Sequence, residues 1–186
     1  MRNRPYRDHR GVAKYRHEVL AAILRVNERL EVLATPRSRD PFAGQWALIG
    51  GPVEVDETME QAIARHMTGH LSGARPVHVE QVSTVSDPAR DPFERTIATA
   101  YLALTPPDGL PEVVGNSWLP VDDLPSMAFD HAQIVSAAAR RLRSKTSYTN
   151  IVYALAPEEF TMARLRAIYQ AVLGHEVDVT NLGRVL

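Results

Sequence analysis

Gly50-Gly-Pro-Val-Glu-Val-Asp-Glu57, running on into Thr58-Met-Glu-Gln-Ala-Ile-Ala-Arg-His-Met-Thr-Gly-His-Leu71, decides how the rest of the chain is read. The first half is acidic and punctuated by glycine and proline, so it is a loop. In the second half Met59, Ala62, Ile63, Met67 and Leu71 recur at steps of three and four, which buries one face of a helix. Asp56 or Thr58 can cap it. Just upstream, Trp46 to Ile49 reads as a short strand stopped by Gly50-Gly51. The unit is therefore strand, acidic glycine-led loop, helix.

Outward from this unit the pattern stays strand-rich. Val19 to Val26 and Leu30 to Thr35, joined through Asn27, Glu28 and Arg29, predict a β-hairpin. Pro36 to Gln45 is a polar loop. Downstream, Val77 to Val85 and Thr96 to Leu104 are β-branched and aromatic, with the turn-rich Ser86 to Pro92 between them, and Ser117 to Pro120 is a further strand. To about Leu124 the chain reads as mixed strands around one helix. After Pro125 its character changes. His131 to Lys145 has helical spacing and ends in cations that suit the helix dipole. An apolar strand is predicted at Ile151 to Leu155, then a helix from Thr161 to Leu173 capped by Gly174, then a helical start at Asp178. Helix, strand, helix, turn, helix is the order of a winged helix-turn-helix unit.

Composition bounds the function. The 186 residues suffice for one domain, or a domain with a small appendage. With 45% hydrophobic and 23% charged residues the chain can bury a core and is not of the disordered class. The net charge of −1 creates no global field toward nucleic acid or membrane, so such a partner is met by a local patch. Lys14 and Lys145 are the only lysines among 21 basic residues. That favours the side chain that grips phosphate bidentately, or reflects a biased genome. The absence of cysteine excludes disulfides, a thiol nucleophile and thiolate metal sites, and suits the cytoplasm. Residues 1–16 form a basic arm, read as a solvated tail, and the apolar run after it is too short for a membrane span or a signal peptide.

The frame Gly51, Glu57, Arg65 resembles the Nudix box, in which a row of glutamates holds Mg²⁺ on a substrate diphosphate. The box is degenerate: His66, Gly69 and His70 stand where the family has glutamates. Glycine offers no ligand and imidazole prefers softer metals than Mg²⁺. His66 and His70, one helical turn apart, are read as a transition-metal pair or as plain surface residues. Glu54 and Glu57 are the only positions left for a weak divalent metal, and no cofactor is required.

Asp87-Pro-Ala-Arg-Asp-Pro92 with Arg95, and Ser117-Trp-Leu-Pro120 through Phe129-Asp-His131, are similar to the Nudix subgroup that recognises ADP-ribose. Together with Arg140-Arg-Leu-Arg143, Tyr148 and Pro157-Glu-Glu-Phe160, they resemble the Nudix-related transcriptional regulators of NAD metabolism. The resemblance covers about residues 17–186. It implies an α+β fold: a Nudix-type α/β/α sandwich with a mixed sheet over residues 17–127, then a connector helix and winged helix over residues 128–186. It also implies a non-catalytic repressor that senses ADP-ribose or a related NAD metabolite and binds double-stranded operator DNA as a homodimer. The rival expectation is a Nudix hydrolase acting on ADP-ribose or another nucleoside diphosphate derivative.

For the ligand, Arg90 and Arg95 are candidate diphosphate or ribose contacts and Asp91 their partner, unless these residues merely tie a turn together. Trp118 and Phe129 either stack on adenine or fill the core. Gly50 and Gly51 allow close backbone approach. His131 is read as the cap region of its helix. For DNA, Thr180, Asn181 and Arg184 are the candidate readers, with Arg164 and Arg166 in the preceding helix. From His131 to Leu186 seven basic residues face four acidic ones, an excess of the sign DNA requires. The sequence stops at Leu186 before a two-stranded wing, so the expected DNA reader is incomplete.

Overall fold

The structure, a computed structural model, describes residues 7–177. The hairpin forms as predicted: β1 (Arg16–Val26) and β2 (Leu30–Pro36) run antiparallel, with Leu24 opposite Val32 and Val26 opposite Leu30. The other elements are β3 (Trp46–Ala47), β4 (Ile49–Pro52), α1 (Met59–His70), β5 (His78–Val85), β6 (Thr96–Leu104), β7 (Ser117–Pro120), α2 (His131–Lys145) and α3 (Met162–Leu173). The sheet order is β3-β2-β1-β6-β5, with β4 also on β1 and β7 also on β2. The β1–β6 pair is parallel and the other pairs are antiparallel, so the sheet is mixed.

Every residue of β1 from Val19 to Leu24 is buried, as a strand covered on both faces requires. Alternation sorts these side chains. Val19, Ala21 and Ile23 pack with Ile49 against Ala62, Ile63, Met67 and Leu71 on and just after α1. Leu20, Ala22 and Leu24 face the other way, against Ile134, Val135, Ala138 and Leu142 of α2 and Leu165, Ile168 and Val172 of α3. Burying each large aliphatic side chain in these layers contributes roughly 1.5–3 kcal/mol. The result is the α/β/α sandwich.

Helix ends follow local chemistry. Thr58, not Asp56, caps α1: its hydroxyl accepts from Gln61 N–H and the Gln61 side chain accepts from Thr58 N–H, a reciprocal capping box. Thr161 caps α3 by accepting Arg164 N–H on its hydroxyl, and Gly174 ends it at φ 77°.

Three expectations change. Ile151–Leu155 is a 3₁₀ helix, not a strand. It buries Ile151, Val152 and Leu155 on one side of a turn, and a short unbroken apolar run does not reveal its period. Second, among the described residues α2, the 3₁₀ turn and α3 share one hydrophobic cluster with the sheet. Arg164 fastens α3 further by donating to the carbonyls of Val26 and Asn27 in the hairpin turn. Glu80 on β5 likewise accepts from Lys145 and Arg141 of α2 and is hydrogen-bonded to His78. Partial burial pushes its carboxyl up, and these three partners outweigh it to bring the carboxyl down to about 2. Third, the basic arm is not all tail. Asp8 Oδ1 closes a turn over Arg10 and Val12 N–H, and Arg16 opens β1.

The expected helix from Asp178, with Thr180, Asn181 and Arg184, lies outside the described residues. Among the described residues no helix is long and apolar enough to cross a membrane.

Candidate functional site

A cavity of about 760 Å³ opens where β1, β4 and α1 meet the loops after β2 and β5 and the start of α2. Glycine makes its floor. A Cβ on Gly50 would lie 2.0 Å from the Val19 carbonyl of the paired strand, and one on Gly51 would lie 2.5 Å from Cε1 of His66. The imidazole of His66 thus lies against the Gly51 backbone, with Nε2 3.0 Å from the Pro52 carbonyl. His70, one turn on, has Nδ1 3.0 Å from the His66 carbonyl. Both rings line the cavity.

The divalent metal that a Nudix box implies does not fit these residues. The box glutamate Glu57 takes Arg65 on both carboxylate oxygens and the Glu54 N–H besides. The Arg65 hydrogen bonds first, then the Glu54 amide, hold its carboxyl near 2. Glu57 is the clasp of the loop, and Glu54 is exposed, so the two do not gather as ligands. Among the described residues no group of three or more histidine or carboxylate side chains is arranged to hold a metal ion.

Arginines, aromatic rings and the carboxylates of Glu18, Asp40, Asp91 and Glu94 line the rest. Arg37 and Arg39 come from the loop after β2, and Arg16 from the first position of β1. Arg16 lies 2.8 Å from Glu18, and Arg37 is held by donating Nε–H to the Pro41 carbonyl. The Arg37 guanidinium sits 4.8 Å from the ring centre of Phe129, which meets Phe42 edge-on at 4.9 Å. Phe42 and Phe129 both adopt left-handed backbone, at φ 68° and 53°. Such conformations cost non-glycine residues energy and cluster at ligand clamps. His131 closes this end, fully buried. Its Nδ1 accepts Leu48 N–H at 3.0 Å in the gap between β3 and β4. Burial drives its pKa down to about 3 against the upward pull of Asp130, with Arg90 and Arg37 adding to the depression.

Of the ligand residues expected from sequence, Gly50, Gly51, Asp91 and Phe129 line this cavity. Arg90, Arg95 and Trp118 are engaged elsewhere. Arg90, its side chain 2% exposed, makes a two-pronged ion pair with Asp130 at 2.8 and 3.0 Å. Arg95 donates to the carbonyls of Asp87 and Thr96. Trp118 lies under the Arg25 guanidinium at 4.1 Å and beside the α1-side core. Asp91 also caps its own loop, accepting from Phe93 and Glu94 N–H and from the Thr96 hydroxyl. Arg166 donates Nε–H to the Val177 carbonyl. Sequence reasoning missed Arg16, Arg37, Arg39 and His131 as cavity residues, and the arginine bias was the one signal that pointed toward the first three.

Comparison with known proteins matches residues 15–138 to the NUDIX domain. The chain is 30% identical over 165 residues to the ADPR responsive transcriptional repressor NtrR of Acinetobacter baylyi, an alignment covering 84% of this chain and 66% of that one. It therefore spans about two thirds of that relative's length. A crystal structure of Shewanella oneidensis NrtR complexed with a 27mer DNA superposes with a TM-score of 0.81 at 29% identity, covering 90% of this chain and 80% of that one. The NUDIX domain of the same protein, complexed with ADP ribose, matches with a TM-score of 0.63 at 29% identity, covering 73% and 93%.

Proposed function

Since this chain belongs to the NUDIX domain family, we propose that it is a non-catalytic, ligand-responsive transcriptional repressor of NAD metabolism, acting in the cytoplasm. The observation that carries the reading is the composition of the cavity. Arg16, Arg37 and Arg39 supply cations for a diphosphate and Phe129 supplies a ring face, while the metal-binding positions of the box hold His66, Gly69 and His70. Such a site can bind a nucleoside diphosphate sugar and has no means to polarise it for attack. The ligand is ADP-ribose or a close NAD metabolite, since the Acinetobacter relative is an ADPR responsive repressor and the Shewanella NUDIX domain is complexed with ADP ribose.

DNA binding is assigned to the C-terminal part as a homodimer on a two-fold operator, with Thr180, Asn181 and Arg184 as base or phosphate contacts and Arg166 of the preceding helix as a further one. Arg164, with its guanidinium on the hairpin carbonyls, positions α3. No cofactor is required for either binding event. A ligand changes DNA affinity only by binding the free and DNA-bound forms differently.

The test is threefold. Calorimetric titration with ADP-ribose in EDTA should give saturable binding. Prolonged incubation with ADP-ribose and Mg²⁺ or Mn²⁺ should give no hydrolysis. Gel shifts on fragments upstream of NAD-biosynthesis genes should respond to ADP-ribose. Turnover near 1 s⁻¹, within the usual enzyme range, would instead establish the hydrolase. ADP-ribose binding that leaves DNA affinity unchanged would end the switch.

A further inference from the structure

His131 is the first residue of α2, is only 4% exposed, and stands in the cavity wall. A backbone N–H, that of Leu48, points at Nδ1 from 3.0 Å. A donor facing a ring nitrogen requires a lone pair there, so the ring's single proton is on Nε2. Protonating the ring would set N–H against N–H. Among the described residues Nε2 has no protein partner, and it is not one of the side-chain nitrogens shut off from solvent, so it opens on the cavity that the residue lines. An N–H with no protein partner at a cavity wall is free to donate to whatever fills the cavity. The ring is tilted 39° to Phe129 at 5.5 Å, and Phe42 and the Arg37 guanidinium also pack on that phenyl ring. Nε2 therefore lies at the flat, aromatic end of the cavity, remote in chemistry from His66 and His70.

We infer that His131 is a ligand-binding residue: its Nε2–H, fixed as a donor by the Leu48 amide, hydrogen-bonds a ring nitrogen of the ligand's heteroaromatic base, which lies against Phe129. This deepens the ADP-ribose reading and rests on it. An adenine offers acceptors at N1, N3 and N7, and it fits both the donor and the ring face. The base is thereby recognised by a donor whose proton stays put over the physiological range, since burial holds the ring neutral down to about pH 3.

The test is a double-variant cycle in calorimetry on the whole chain. Wild type and His131→Asn are each titrated with ADP-ribose and with its 1-deaza, 3-deaza and 7-deaza analogues. The asparagine oxygen can still take Leu48 N–H, so the wall is preserved, but it offers nothing at Nε2. One deaza substitution should weaken wild-type binding about tenfold, the scale of one hydrogen bond, and should cost nothing further in the variant. Equal losses in both proteins for every analogue would overturn the assignment. Wild-type protein that binds none of the four would overturn the ADP-ribose reading and this one with it. Should the variant fold poorly, ¹⁵N imidazole spectra of wild type decide. They should show an unprotonated Nδ1 and an Nε2–H whose proton moves downfield on adding ADP-ribose. A protonated Nδ1, or an unmoved Nε2–H, would overturn the proposal.

Discussion

The burial of His131 makes stability depend on pH from about pH 7 to about pH 5, above the range in which ordinary carboxylates titrate. Its folded pKa is about 3, lowered by burial, against about 6.5 for an exposed imidazole. The folded value lies below the unfolded one, so between about pH 6.5 and pH 3 the unfolded chain binds more protons than the native one. Stability from this residue is complete above the window and drains away as pH falls through it. From about pH 7 to about pH 5 the unfolded imidazole passes from mostly neutral to almost fully charged while the native ring stays neutral, a loss of about 2 kcal/mol. Urea unfolding of wild type and His131→Asn across this range measures it. The other histidines are common to both proteins and cancel in the difference. The variant is less stable at neutral pH, and the gap between the two should shrink by about 2 kcal/mol on acidification. Parallel curves would refute both the burial argument and the neutral tautomer. Glu80, held near 2, begins to act only below about pH 4.5 and leaves this window clean.

Other perturbations probe the remaining parts of the site. Arg90→Ala strands Asp130 beside the start of α2 and should destabilise by about 3 kcal/mol in thermal or urea unfolding; a cost under about 1 kcal/mol would mean that the pair is solvated in practice. Gly51→Ala drives a methyl into the His66 ring at 2.5 Å and should cost about 1–3 kcal/mol. His66→Ala in the same chain should recover most of that loss, and additivity of the two changes would contradict the contact. Arg37→Ala and Arg39→Ala should each weaken ADP-ribose binding about tenfold or more, with a reduced dependence on salt. Arg95→Ala, whose guanidinium is spent on loop carbonyls, should stay within about twofold of wild type in the same titration.

Elements with a strong period were readable from the sequence. The two-sided burial of β1, the 3- and 4-residue spacing of α1 and the cation-tipped α2 each state their own geometry. Ile151–Leu155 does not, because five apolar residues in a row fit a strand and a turn of helix equally, and only packing against α2 and the sheet selects between them. The site was less legible than the fold. Arg37 and Arg39 sit in a polar loop with no periodicity, and they become cavity residues only when that loop folds beside β1 and β4. The fate of Arg90 depends on Asp130, forty positions away, a pairing that no local pattern discloses. His131 reads as a cap because it begins a helix, yet Asp130 stands at the cap and makes no capping bond, its carboxylate being turned to Arg90.

β1 has one further consequence. Its first residues, Arg16, Glu18 and Leu20, belong to the cavity, and its last, Val26, provides a carbonyl that holds Arg164 of α3. From Leu20 to Val26 the strand advances roughly 20 Å with no loop between, and neighbouring strands clamp it on both sides. Such an element resists bending. A displacement imposed at the mouth of the cavity would therefore meet a continuous hydrogen-bonded strand, with no loop between it and the start of α3.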